Sequence, residues 1–280
     1  MKVHVSCAGK LNLALNVFTK TQQFHPIDSV VVSVNMYDSV TVTSRNDNVV
    51  TLNDVCGIEG KNNTAFKAAV AFVERFKTNG ADIILSKNIP VAAGMGGSSA
   101  DICAVLHAMA RLYNVDNSDV EELASTLGSD TVFMMRGGMA RLTGRGEVVQ
   151  HFDCPRTMHF AVTLFDVGVS AGSAYNAFDS VGGDYTDVDS LVKCIQSGQL
   201  EVASGYIGNG LQRAVGKGFC DRYLNYCKSH GISTCMTGSG SAFFSMFSDE
   251  DSAVKKVQLL RKGGFDTVYL HSVDGCDAII

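Results

Sequence analysis

Several things are missing from this chain, and each absence removes a class of function. Among its 280 residues no apolar run is long enough to span a bilayer, and Met1-Lys2-Val3-His4-Val5 lacks a signal peptide's apolar core. Positive charge is not in excess: the formal net charge of −5 argues against a general nucleic-acid binder, though a local basic pocket remains open. The nine cysteines (7, 56, 103, 154, 194, 220, 227, 235 and 276) are nowhere spaced Cys-x-x-Cys. Neither a zinc site nor a disulfide framework is therefore expected. The cysteines read as small core residues in a reducing compartment, which points to the cytoplasm. Internal repeats and low-complexity tails are absent too. What remains is a globular composition, 46% apolar and 18% charged, long enough to bury a large core in one or two domains.

The most informative stretch is Ile89-Pro90-Val91-Ala92-Ala93-Gly94-Met95-Gly96-Gly97-Ser98-Ser99-Ala100-Asp101. No Gly-Lys-Ser/Thr follows its glycines, so it is not a P-loop, and Gly94-Met95-Gly96-Gly97 lacks the last spacing of a dinucleotide fingerprint. Before it, Ala81-Asp82-Ile83-Ile84-Leu85 has strand character; after it, Ile102, Val105, Leu106, Met109, Leu112 and Tyr113 recur at helical spacing. A strand, a glycine-rich turn and a helix N-terminus suit an anion, because the unpaired N–H groups and the helix dipole favour phosphate. A helix capped by serine after a flexible loop is the competing reading.

Along the chain, Val3, Val5 and Cys7 alternate as in a strand, and Leu11, Leu13, Leu15 and Val17 continue the alternation. Lys10, Asn12, Ala14 and Asn16 share the opposite face, which by itself reads as a solvated strand face. Two more strands are expected over Asp28–Val34 and Asp38–Thr43, joined by a tight connection at Asn35-Met36-Tyr37. Early strands with no helix between them imply an antiparallel sheet and an α+β fold. A helix starts after Asn62-Asn63, either of which can be its cap, and another ends at Gly128. Asp130 then reads as the cap of a short helix. The pattern breaks near Asp153-Cys154-Pro155-Arg156, which divides the chain into 1–155 and 156–280. The second half mixes strands and helices in a ferredoxin-like order, with a glycine-rich turn at Gly238 to Ser241.

Three stretches together resemble the signatures of the GHMP small-molecule kinases: Ala8-Gly9-Lys10-Leu11-Asn12-Leu13, Pro90 to Asp101, and Met236-Thr237-Gly238-Ser239-Gly240-Ser241-Ala242. Leu127-Gly128-Ser129-Asp130-Thr131-Val132-Phe133 and Phe24-His25 draw the resemblance toward the branch that acts on 4-diphosphocytidyl-2-C-methyl-D-erythritol, in non-mevalonate isoprenoid synthesis. The resemblance implies two domains, a ribosomal protein S5 domain 2-like nucleotide-binding half and a ferredoxin-like half. It also implies ATP with Mg²⁺, a small-molecule alcohol as acceptor, and a monomer or homodimer.

By the same resemblance Asp130 is the catalytic base and Lys10 lies beside it and the acceptor hydroxyl. Phosphoryl transfer needs little more than alignment, charge neutralisation and a carboxylate able to take the proton. Pro90, Ala93, Gly94, Met95, Gly96, Gly97, Ser98 and Ser99 would wrap the phosphates, with Ser98 or Ser99 the metal contact and Asn63 and Lys87 near the nucleotide. Phe24 would stack on cytosine, His25 pair with its edge, Asn12 lie beside the methylerythritol, and Gly238 and Ser239 complete the floor. The pattern departs from the family at Gln23-Phe24-His25-Pro26 and at Asn209-Gly210-Leu211-Gln212, where acceptor recognition is expected. Another acceptor, such as homoserine, a sugar or a mevalonate derivative, is the alternative. A non-catalytic ligand-binding relative is a third.

Overall fold

A computed structural model describes residues 1–21, 24–54, 60–215 and 218–275. The first half contains β1 (Lys2–Val17), β2 (Ile27–Ser44), β3 (Thr51–Asp54), α1 (Thr64–Phe76), β4 (Ala81–Ser86), α2 (Gly97–Tyr113), α3 (Asn117–Leu127), α4 (Thr131–Arg136), β5 (Met139–Gly144) and β6 (Val148–His151). The second contains β7 (His159–Thr163), α5 (Ala171–Val181), α6 (Val188–Gln196), α7 (Leu200–Ala203), β8 (Gly208–Asn209), α8 (Gln212–Val215), α9 (Asp221–Ser229), β9 (Cys235–Met236), β10 (Phe243–Phe247), α10 (Glu250–Lys262) and β11 (Thr267–His271).

The first sheet runs β3-β4-β2-β1-β8, and β2 is long enough to pair also with β5 along residues 27–32. Asn35-Met36-Tyr37 is not a turn: β2 passes straight through it, and Asn35 and Met36 are the surplus residues of a bulge where Ala8 pairs with Tyr37 and Gly9 with Val34. A bulge and a turn carry similar residues, and only the partner strand decides between them. The bulge is used, since Asn35 Oδ1 accepts the N–H of His271 at 2.8 Å and so joins the two sheets. The second sheet, β11-β7-β10-β9, has the ferredoxin-like strand order and is antiparallel in all its pairings. The first sheet nevertheless takes in β8 from the second half, paired in parallel with β1 at Ala14 and Leu15.

Helix α2 lies against β1 and β2 on one side and α1, α3 and α4 on the other, which is why it is buried around most of its circumference. Asn63 caps α1, its Oδ1 accepting the N–H of Ala65 at 2.8 Å. The supposed solvated face of β1 is buried: Lys10 and Asn12 are each 4% exposed and Asn16 is 7%. Chain from the second half covers that face, and the polar residues on it are consequently paired. Cys103, Cys154, Cys194, Cys220, Cys227 and Cys235 are free thiols as expected. Cys7 is disulfide-bonded, against expectation, and Cys56 and Cys276 lie outside the described residues. Among the described residues no helix is long and apolar enough to cross a membrane.

Candidate active site

The glycine loop joins β4 to α2 and packs against the turn that begins at Gly238. A side chain at Gly94, where φ is +78°, would bring its Cβ within 2.1 Å of the Thr237 carbonyl oxygen. Gly96 is also at φ +78° and stands at the N-cap of α2, so no side chain caps this helix. The serine-cap reading therefore fails: Ser98 and Ser99 sit inside the first turn, whose N–H groups have no capping side chain. Such a turn favours an anion.

Lys10 approaches this turn from β1, its backbone N–H donating to Met95 O at 3.0 Å. Its Nζ donates to Asn12 Oδ1 at 2.5 Å and lies 3.3 Å from Asp130 Oδ2. Asp130 occupies the N-cap position of α4 without capping it; it makes no side-chain cap bond there. Its backbone is in the helical region rather than the extended conformation usual for a cap, which turns the carboxylate toward Lys10 instead. Asn12 Nδ2 donates to Ser29 Oγ at 2.9 Å, Ser29 Oγ donates to Ala14 O at 2.6 Å, and the Asn12 N–H donates to Thr237 Oγ1 at 3.0 Å.

Lys87 is differently placed. Its ammonium meets Asp101 Oδ2 at 2.8 Å and also donates to Asp38. Asp38 is fully buried, and its other oxygen accepts the N–H groups of Asn88 at 2.6 Å and Ile89 at 2.9 Å. Burial alone would lower the Lys87 ammonium, but the carboxylates of Asp101 and Asp38 outweigh it and hold it above its ordinary value. Burial pushes the Asp101 carboxyl up to about 7, against the pull of Lys87. Its Oδ1 is buried without a hydrogen-bond partner among the described residues.

These residues wall a cavity of about 570 Å³, a size suited to a small-molecule site. Lys10, Asn12, Asn63, Lys87, Pro90, Ala93, the loop from Gly94 to Ser99, Asp130, Gly238 and Ser239 all line it, so the sequence brings most of its candidates to one place. Phe24 and His25 are not among the lining residues, and Gln22 and Gln23 beside them lie outside the described residues. The His25 ring is engaged elsewhere: Nδ1 lies 2.9 Å from Phe18 O, Nε2 lies 3.2 Å from Asp179 Oδ1, and Tyr175 stacks on it. Both ring nitrogens are thus engaged within the chain. Asn209 ties β8 to the glycine turn, its Nδ2 donating to Met236 O at 2.7 Å and Gly238 O at 2.8 Å.

Residues 63–140 match the family model for the GHMP kinases N terminal domain. A Cutibacterium acnes 4-diphosphocytidyl-2-C-methyl-D-erythritol kinase is 34% identical, over 76% of this chain and 74% of its own. The chain belongs to the GHMP kinase family. A Bacillus velezensis kinase of the same name is 28% identical over 96% of both chains. A crystal structure of 4-(cytidine 5'-diphospho)-2C-methyl-D-erythritol kinase superposes with a TM-score of 0.79 at 25% identity, covering 96% of this chain and 99% of that one. Homoserine kinase from Cytophaga hutchinsonii, at 16% identity and a TM-score of 0.78, shares the fold over 99% of this chain and 97% of its own.

Against this family background, several residues at the site carry no motif signal. Ser29 and Asp38 sit in β2 as unremarkable polar residues, and only burial and their partners show what they hold. Arg145 and Tyr175 also line the cavity; Arg145 has its guanidinium 5.8 Å from the centre of the Phe24 ring, with no ion pair among the described residues. A cation between two glycines in a hairpin tip was the one signal that could have found it. Gly168-Val169-Ser170-Ala171-Gly172 has the spacing of a hydrolase nucleophile elbow, but Ser170 is the cap of α5, its Oγ accepting the Ser173 N–H at 3.1 Å.

Proposed function

We propose that this protein transfers the γ-phosphoryl group of ATP to the free hydroxyl of 4-diphosphocytidyl-2-C-methyl-D-erythritol. The observation that carries the reading is the Lys10–Asp130 pair, 3.3 Å apart on the wall of the cavity that the glycine loop and the uncapped N-terminus of α2 also line. Asp130 takes the hydroxyl proton, the hydroxyl oxygen bonds to the γ-phosphorus, and the bond to the bridging oxygen breaks to release ADP. Lys10 offsets negative charge as it develops on the transferred group, and the loop N–H groups hold the phosphates. Asn63, Pro90, Ala93, Met95, Gly97 and Lys87 line the part of the cavity where the nucleotide would sit, and Gly238 and Ser239 line it too.

Among the described residues no cluster of three acidic, histidine or cysteine side chains forms a metal cage. Mg²⁺ is held largely by water and substrate phosphates and needs few protein ligands. The Ser98 or Ser99 hydroxyl is the protein oxygen that would reach it, and the ion would neutralise phosphate charge. Part of the same proposal are the division at 155/156 and a cytoplasmic location, the latter supported by six free thiols and opposed by the disulfide at Cys7.

The test is ATP turnover by the purified protein with Mg²⁺, with and without the cytidylyl alcohol, and mass spectrometry of the product. Stimulation lost in Asp130→Ala and Lys10→Ala supports the proposal; nucleotide binding with no stimulation by this alcohol overturns the acceptor. A second reading, another alcohol acceptor of the same family, is favoured by one observation: Phe24 and His25 do not line the cavity, and both ring nitrogens of His25 are engaged. Turnover with homoserine, mevalonate or a sugar instead would establish it.

A further inference from the structure

Asn12 is expected to lie against the acceptor, yet its side chain is already occupied at both ends. Lys10 Nζ can only donate, so the atom of Asn12 that meets it at 2.5 Å is the carbonyl oxygen. At the other end, Ser29 has one hydroxyl proton, and Ala14 O can only accept it at 2.6 Å. Ser29 Oγ must then accept, and what it faces at 2.9 Å is the Asn12 amide nitrogen. The orientation of the amide is thus fixed independently from each end. All four groups are buried: Ser29 and Ala14 fully, and Lys10 and Asn12 to 4% exposure.

We propose that Ser29 and Asn12 are positioning residues for the transfer step, acting through Lys10. The chain from the Ala14 carbonyl through Ser29 to Asn12 places one ammonium N–H on Asn12 Oδ1 and turns a second toward Asp130. The third is left for the reacting groups. An ammonium on a flexible stem has many rotamers, and this buried chain selects one of them. The Asn12 backbone N–H bond to Thr237 Oγ1 adds that the same strand position is pinned from the second sheet. The inference rests on reading Lys10 and Asp130 as the transfer pair.

The experiment is a double-mutant cycle of Ser29→Ala and Asn12→Ala in the full chain, reading kcat and ATP KM separately, with Asp130→Asn in parallel. Loss of the hydroxyl is expected to lower kcat by roughly 10- to 100-fold, the scale of a misplaced catalytic group. ATP KM should change less than about twofold, because the phosphate cradle is untouched. The two substitutions together should cost about as much as the worse one alone, since both cut one chain. Ser29→Thr keeps the hydroxyl and should recover most of the kcat lost in Ser29→Ala. Additive losses, or a loss confined to ATP KM, overturn the proposal. So does a Ser29→Ala enzyme as fast as wild type while Asp130→Asn is inactive, which spares the transfer pair. An active Asp130→Asn enzyme instead overturns the transfer-pair reading. If Ser29→Ala does not fold, Asn12→Ala decides: it removes the oxygen on Lys10 and the N–H on Ser29 without adding charge. A kcat lowered roughly 10- to 100-fold with ATP KM changed less than about twofold supports the chain, and an unchanged kcat overturns it.

Discussion

Lys10 and Lys87 line the same cavity and are both buried, at 5% and 11% side-chain exposure, but their partners differ. Lys10 faces a neutral amide and a carboxylate that is one-third exposed. Lys87 faces two carboxylates, one wholly buried and one nearly so. An ammonium with one acidic partner and an N–H to spare can respond to charge arriving in the cavity. One set against the wholly buried Asp38 carboxylate, with Asp101 on its other side, already has its field cancelled. The difference teaches that a lysine on a cavity wall is not by that fact a phosphate ligand. Lys87, expected beside the nucleotide, serves first to join β4 to β2 and to set the start of the glycine loop.

Asp130→Asn attacks the Lys10 side and carries the largest expected effect. It should lower kcat by roughly 10²- to 10⁴-fold, the usual contribution of a general base, with ATP affinity retained by calorimetry. Lys87→Met attacks the other side by leaving two buried acids without their cation. A loss of about 3–5 kcal/mol in stability is expected from urea unfolding. If that variant instead kept wild-type stability and lost only ATP affinity, Lys87 would be a nucleotide ligand and the contrast would collapse. Asp38→Asn keeps the shape but weakens the acceptor for Asn88 and Ile89. It should cost about 1–3 kcal/mol, with a higher ATP KM and a kcat that stays near wild type.

The smallest effect concerns pH. In the native protein Asp101 holds its proton up to about 7, whereas in the unfolded chain it releases it near 3.8. Between those values the native state binds more protons, so this group makes stability fall as pH rises through the window. Asp101→Asn lacks that dependence. The gap in urea midpoint between wild type and Asp101→Asn should therefore shift steadily from pH 4 to 7 in the mutant's favour. A constant gap would show that Lys87 keeps Asp101 ionised throughout.

Local pattern carried a good deal of this. Alternation placed β1, helical spacing placed α1 and α2, and Gly94 and Gly96 marked a loop that must come close to other backbone. The motif residues gathered at one cavity because they lie where strands or turns meet helices. Pattern failed where identity depends on a neighbour. The bulge at Asn35-Met36 read as a turn because both need residues tolerant of irregular backbone. Lys10, Asn12 and Asn16 read as a solvated face because alternation reports two faces without saying what covers the second. Asp130 read as a cap because a single acidic residue before a helix most often is one.

By itself, then, the sequence determined the elements, the phosphate-seeking turn and the residues able to move a proton. These follow from backbone freedom at glycine, hydrophobic period and side-chain chemistry, all of which act within a few residues. The tertiary structure alone decided which lysine is neutralised and which is left responsive. It also decided that Asn12 is held at both ends and that Asp130 faces Lys10 rather than its own helix. Those outcomes turn on burial and on partners far along the chain, such as Asp38 for Lys87 and Asp130 for Lys10. A buried polar group must find its complement wherever the fold brings one, and the chemistry of that complement sets what the group can do.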